Sequence, residues 1–203
     1  MAKFDAKKDL KHLYAPSAKA VSVVTVPPMC FLMIDGEGDP NTAPAYVQAL
    51  EALYPLAYTL KFMVKKQSPD QDYSVPPLEG LWWVPDMRKF SMEDKDSWLW
   101  TMMMMQPDPV TADMVAEAVE DVRRKKNPPA LAKVRFEVYD EGLAAHILYI
   151  GPYAAEAPTI ARLHAHIEAG GHTLHGKHHE IYLSDPNRTA PEKLRTIIRQ
   201  PMR

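Results

Sequence analysis

The sequence predicts an α+β fold: two duplicated βαββ halves related by a pseudo-twofold, with antiparallel strands, helices on one face and a central ligand cleft. Two observations predict it. The first is a repeated order of motifs. An apolar strand ends in glycine (Phe31-Leu32-Met33-Ile34-Asp35-Gly36; Ile147-Leu148-Tyr149-Ile150-Gly151), and a helix follows. Then come a strand ending in aspartate (Leu81-Trp82-Trp83-Val84-Pro85-Asp86; Ile181-Tyr182-Leu183-Ser184-Asp185) and a last apolar run closing in Gln-Pro (Gln106-Pro107; Gln200-Pro201). The second is periodicity: most apolar segments are short and strand-like, and only three stretches carry helical spacing.

Taken in order, strands are expected at residues 22–26 and 30–35. A helix follows over about 42–66, where Val47, Leu50, Tyr54, Ala57, Tyr58 and Lys61 recur at steps of three and four. Asn41 or Thr42 can cap it, with Pro44 in its first turn. Pro55 removes a backbone donor inside it, so a kink is expected near 51–54. Strands at 81–85 and 98–105 close the first half, about 20–107. In the second of these, Met102 to Met105 continue the alternation begun by Trp98 and Trp100, and flexible thioethers there suit a core.

A connecting helix spans about 111–126, with Thr111 as N-cap and Asn127-Pro128-Pro129 as its stop. Its acidic residues (Glu117, Glu120, Asp121) precede its basic ones (Arg123-Arg124-Lys125-Lys126), which complements the helix dipole. The second half, about 132–203, contains strands at 132–139 and 144–150. Its helix at 156–169 carries the stripe Ile160, Leu163 and Ile167 and ends at Gly170-Gly171. Strands at 177–183 and 193–199 complete it, although Pro191-Glu192-Lys193-Leu194 can instead open a helical turn. The whole of 1–203 reads as a single domain, long enough for a sizeable core.

Composition excludes several classes. The formal net charge is -2, with 25% charged and 46% hydrophobic residues, so nothing favours nucleic-acid binding. The single cysteine, Cys30, rules out an internal disulfide and reads as a buried, inert thiol in an apolar run. The polar N-terminus does not resemble a signal peptide, and no apolar run is long enough to span a membrane, so a soluble cytoplasmic protein is expected. No cofactor is implied, because phosphate-loop, dinucleotide and nucleophile-elbow motifs are missing. The histidines supply no convergent metal spacing: His164 and His166 diverge on their helix, and His178 and His179 alternate on their strand.

Chemistry concentrates on one strand. His178, Glu180 and Tyr182 share a face, and a carboxylate in mid-strand is costly to bury without a partner. Glu180 is therefore a surface residue, a structural partner of His178, or a site. Matching Asp86 to Asp185 in the repeat sets Trp83 against Tyr182 and Leu81 against Glu180. Tyr153 then stands at the cleft mouth, and Tyr54 and Tyr58 lie at i and i+4 on one helix face. With Trp82 and Trp100 they make a candidate aromatic box, suited to planar, hydrophobic or cationic ligands.

The runs Phe31-Leu32-Met33-Ile34-Asp35-Gly36-Glu37-Gly38-Asp39-Pro40-Asn41, Leu78-Glu79-Gly80-Leu81-Trp82-Trp83, Ile150-Gly151-Pro152-Tyr153 and Gly176-Lys177-His178-His179-Glu180-Ile181-Tyr182-Leu183-Ser184-Asp185-Pro186 resemble stand-alone GyrI-like proteins. The closing Arg195-Thr196-Ile197-Ile198-Arg199-Gln200-Pro201 fits too. The resemblance implies a duplicated two-layer domain with a ligand cleft on the pseudo-twofold. It also implies a drug-sensing relative in multidrug-responsive regulators, where a buried glutamate and aromatics receive cationic or planar compounds. Some similar stand-alone proteins hydrolyse cyclopropane-containing DNA alkylators. Two departures, Pro55 within the helix and Tyr149 where histidine is frequent, are expected to lie near the cleft.

Three functions compete. In a detoxifying hydrolase, Glu180, its pKa raised toward neutrality by a less polar cleft, takes a proton from water. Tyr182 assists it, while Trp82, Trp83 and Tyr153 hold the substrate. In a non-catalytic sink or sensor the same cleft only binds. A protein-interaction role finds no exposed apolar stripe to use. Monomer and homodimer are equally compatible with the sequence.

Overall fold

Short β-branched and apolar runs give extended segments, and turns rich in proline, glycine and aspartate separate them. The computed structural model describes residues 3–91 and 94–203. Its strands are β1 (Ser22–Val26), β2 (Met29–Glu37), β3 (Leu78–Trp83), β4 (Leu99–Gln106), β5 (Arg135–Tyr139), β6 (Gly142–Ile150), β7 (His178–Tyr182) and β8 (Arg195–Pro201). They form one antiparallel sheet in the order β1-β6-β8-β7-β3-β4-β2-β5. The β3–β7 ladder lies at its centre. There Leu78 stands opposite Tyr182, Gly80 opposite Glu180 and Trp82 opposite His178.

This register corrects the match of Asp86 to Asp185. Directly paired residues share a face, so Trp82, not Trp83, lies on the side of Glu180 and Tyr182. The two strand-to-aspartate segments differ by one residue, and a one-residue slip turns every side chain to the other face.

The helices are α1 (Ala6–Asp9), α2 (Lys11–Tyr14), α3 (Pro44–Gln67), α4 (Ala112–Lys125) and α5 (Ala157–Ala169). Helices α3 and α4 pack Leu53, Leu56, Leu60, Val115 and Val122 against Leu32, Ile34, Met102 and Met104. Each fully buried leucine contributes ~1.5–3 kcal/mol relative to exposure. Helix α5 sets Leu163 and Ile167 on Ala145, Ile147 and Ile198. Ile198 pairs with Glu180, so these three long helices share one face of the sheet. The expectation of helices on one face alone is corrected by α1 and α2. They bury Ala6, Leu13 and Tyr14 on the opposite face, against Leu81, Met103, Met105, Ile181 and Ile197. The methionine run thus fills both layers, by alternation.

Local details follow the residue chemistry. Helix α3 begins after Ala43, which makes no side-chain cap bond, with Pro44 at its start, and it runs unbroken through Pro55. Lys61 turns inward and is held by Asp72 at 2.6 Å. Thr111 caps α4 by accepting from the Met114 amide. The turn Pro191–Lys193 is a single 3-10 turn leading into β8. Cys30 is half-buried rather than buried. An apolar stripe does emerge on α3, where Val47, Tyr54, Tyr58 and Phe62 are all exposed. Among the described residues, no helix is long and apolar enough to cross a membrane.

Candidate functional site

Where β3 meets β7, the helices α3 and α5 stand apart over the sheet, and a cleft of about 600 Å³ opens between them. Its floor is Leu78 and Trp82 from β3 with Glu180 and Tyr182 from β7. One wall is Tyr46, Leu50, Tyr54 and Tyr58 from α3; the other is Tyr153 and Glu156 at the start of α5. Lys95, Trp98 and the segment Ser184–Asn187 complete the rim.

A chain of hydrogen bonds holds Glu180. The Trp82 indole donates to the Tyr182 hydroxyl at 3.1 Å, and that hydroxyl donates to Glu180 Oε2 at 2.7 Å. His178 Nε2 lies 3.1 Å from Glu180 Oε1. Gly80 makes room for this chain: a Cβ there would meet Trp82 Nε1 at 2.8 Å and the Tyr182 hydroxyl at 3.1 Å. Rings frame it, with Tyr153 edge-on to Tyr182 at 5.8 Å and Trp82 edge-on to Trp98 at 5.6 Å. Tyr46 stacks on Trp82 at 6.3 Å.

The expected rise of Glu180 toward neutrality is not found. Burial does push its carboxyl up, but His178, the Tyr182 hydroxyl and the Glu156 carboxyl outweigh burial and hold it below its ordinary value. It is therefore a carboxylate at neutral pH. The proton resides on its neighbour. Burial and the charge of Glu180 push Glu156 up to about 10. Burial and the same charge raise the phenols too, Tyr153 to about 12 and Tyr182 well above its usual value. All of them remain donors at neutral pH. The cleft thus presents one buried negative charge among neutral hydroxyls and aromatic faces. That arrangement attracts a flat cation, or polarises a water beside an electrophile.

Of the residues expected from the sequence, the structure brings Glu180, Tyr182, Trp82, Tyr153, Tyr54 and Tyr58 to this cleft. Trp83 is on the opposite face, where the Lys177 ammonium sits 3.3 Å from its ring centroid. Trp100 is fully buried beneath Tyr46, its indole donating to the Gly38 carbonyl. It reaches no ligand, because it fills the space left by the missing side chain of Gly36. His178 is buried behind Glu180 and supports it rather than lining the cleft. Pro55 borders grooves beside α3 instead. Tyr149 stands outside the lining, with its hydroxyl donating to the Pro152 carbonyl. Tyr46, Trp98 and Glu156 were not anticipated. Tyr46 shares a helix face with Tyr54 and Tyr58 and could have been found by extending that stripe two steps back, through Leu50. Glu156 gave no such signal, since an acidic residue at a helix start reads as a dipole partner.

A second polar cluster lies on the opposite face and is fully buried. His179 Nε2 lies 2.9 Å from Glu79 and its Nδ1 2.8 Å from Glu141. Tyr14 donates to Glu79 at 2.8 Å, and Arg199 donates to Glu141 at 3.0 Å and to the Leu13 carbonyl at 2.6 Å. Burial opposes charge on His179, but the carboxyls of Glu141 and Glu79 overcome it and lift the imidazole to about 9. Among the described residues no cluster of His, Cys, Asp and Glu is arranged to hold a metal ion.

Residues 19–203 match the family model described as the GyrI-like small molecule binding domain. Three solved structures from Listeria innocua are similar over full length. One, an uncharacterized conserved protein, is 41% identical with a TM-score of 0.91, covering 99% of this chain and 100% of that one. Another, described as a hydrolase, is 39% identical with a TM-score of 0.88, covering both chains completely (100% each). The third, also described as a hydrolase, is 37% identical with a TM-score of 0.86, covering 99% of this chain and 100% of that one. Comparison with curated proteins gives no match.

Proposed function

The chain belongs to the GyrI-like small-molecule-binding family, and on that premise we propose that its cleft takes planar, hydrophobic or cationic compounds and adds water to reactive cyclopropane-containing electrophiles among them. The protein then acts in the cytoplasm as a detoxifying hydrolase. The observation that carries this reading is Glu180, an ionised carboxylate on the floor of an aromatic cleft, with Tyr182 donating to it. The two similar Listeria innocua hydrolases support it. The strand order, in which β3–β4–β2–β5 mirrors β7–β8–β6–β1 about the central ladder, supports the duplicated halves and the single domain over 1–203.

Each carboxylate oxygen has two lone pairs, and hydrogen bonds to His178, Tyr182 and the Glu156 carboxyl leave one of the four able to accept from a further donor, such as a water. Glu180 is a weak base in the resting protein, so it polarises that water and takes its proton only as the strained ring opens. Trp82, Tyr153 and Tyr46 hold the flat substrate so that the ring carbon faces the water. The working measurement is mass detection of water-addition products from a panel of planar cyclopropane-containing electrophiles. Glu180→Gln is expected to lower turnover by ~10²–10⁴-fold with binding retained. Turnover within a few-fold of wild type, in a folded variant, removes Glu180 from the chemistry.

A second reading is favoured by the depressed Glu180 itself, since a carboxylate held ionised suits cation capture as well as base catalysis. In that case the cleft is a sink or a sensor. Saturable quenching of Trp82 and Trp98 by planar cations, with every electrophile recovered unchanged, would select it.

A further inference from the structure

Glu156 sits at the first turn of α5, where its side chain caps no backbone amide. Instead it lines the cleft, only 2% exposed, and its Oε1 is buried without a partner. Its carboxyl is in hydrogen-bonding contact with that of Glu180. Two carboxyl groups reach such contact only with a proton between them, because two bare carboxylates repel strongly in a dry site. The groups around Glu156 are Glu180, backed by His178, from β7; Thr196 from β8; Tyr149 and Tyr153 from the segment before α5; and Lys95 from the rim.

We propose that Glu156 is a second catalytic carboxyl, the acid that donates its proton to the oxygen on which charge collects as the substrate ring opens. This rests on the hydrolytic reading above. The water oxygen forms a bond to the strained ring carbon. The ring carbon–carbon bond breaks, and its electron pair moves through the conjugated system to a carbonyl oxygen. Glu156 delivers its proton to that oxygen, and Glu180 takes the proton that the water gives up. The pair ends with Glu180 protonated and Glu156 ionised, and transfer across their shared hydrogen bond restores the start. The sum is one water added, with no other reactant. The raised proton affinity of Glu156 keeps the acid loaded at neutral pH.

The test compares wild type with Glu156→Gln, which keeps the shape but has no transferable carboxyl proton. Turnover of a cyclopropane-containing electrophile is expected to fall by ~10²-fold. Ethidium, an unreactive planar cation, should still bind within a few-fold. The alkaline limb of the wild-type pH–rate profile should vanish in the variant, together with the infrared carbonyl band of a protonated carboxyl at neutral pH. Wild-type turnover in Glu156→Gln, or a carbonyl band that persists, overturns the assignment while leaving the hydrolytic reading intact. Inactive wild type overturns both. Should Glu156→Gln not fold, Glu156→Asp decides in its place: a tenfold or greater loss with the alkaline limb retained supports the acid role, and undiminished turnover overturns it.

Discussion

Gly80 makes room for the hydrogen-bond chain on the cleft floor. It faces Glu180 across the ladder, and the Trp82 indole folds over the space where its side chain would be. An alanine there meets Trp82 Nε1 at 2.8 Å, closer than real methyl contacts come, and the Tyr182 hydroxyl at 3.1 Å. Gly80→Ala must therefore tilt the indole and break the Trp82–Tyr182–Glu180 chain. Overpacking of this kind costs ~1–3 kcal/mol, which the sheet around it can absorb. The expected outcome is a folded protein whose affinity for planar cations drops by about tenfold or more, read by fluorescence titration. Unchanged affinity would show that the hydrogen-bond chain does not order the floor. Tyr182→Phe asks the complementary question. It removes one of the groups that hold Glu180 down, so the Glu180 carboxyl is expected to titrate at higher pH, and the acid limb of the pH–rate profile should move up with it. An acid limb that stays in place would show that the Tyr182 bond does not set the charge on Glu180.

Among the elements, α1 and α2 depend most on a few contacts. Each is a single turn of four residues, too short to hold itself in water. They are kept on the sheet by Leu13, Ala6 and the two anchors Tyr14–Glu79 and Arg199–Leu13. Tyr14→Phe leaves the packing and removes a buried hydrogen bond to a carboxyl, a loss of about 1–3 kcal/mol. Hydrogen exchange across residues 4–15 should accelerate while ligand binding in the cleft, on the opposite face, is unaffected. Slow exchange in the variant would mean that packing alone secures the segment. The same physics explains what could be read beforehand. Helices α3, α4 and α5 and most of the strands showed in the spacing of apolar residues, whereas β8 stayed open against a helical turn and β3 was placed at 81–85 rather than Leu78–Trp83. The four-residue helices carried no period to detect. The face of Trp83 was misjudged because the two repeats differ by one residue before their aspartates, and no period-two pattern reveals an offset between distant strands. Glu156 was hidden by an ordinary reason for an acid at a helix start. Tyr182 and Glu180 were legible because a polar pair at i and i+2 on a central strand has few ordinary reasons to exist.

At the scale of the whole molecule, two buried ionic clusters occupy opposite faces of one sheet, and their titrations set its stability against pH. On the acid side, burial pushes Glu141 up, but His179 and Arg199 bring it down to about 2. Burial also lowers His146 to about 4. Glu141 therefore contributes stability above pH 4.5 that is lost as pH falls toward 2, and His146 contributes above pH 6.5 what is lost by pH 4. The alkaline side is set by the two raised groups. His179, near 9, contributes fully below pH 6.5, and its contribution fades as pH rises through 9. Glu156, near 10, begins to lose its contribution above pH 4.5. Between pH 6.5 and 9 both decline together, each by up to about 1.4 kcal/mol per pH unit. The melting temperature is thus expected to be higher at pH 6 than at pH 9, by a margin that two protons account for. Glu156→Gln removes one of those protons from the ligand face without touching the other. Its melting temperature should fall about half as steeply over that interval, while the part of its acid limb below pH 4.5, set by Glu141 and His146, keeps the wild-type shape. An alkaline slope identical to wild type would place the stabilising proton elsewhere than on Glu156.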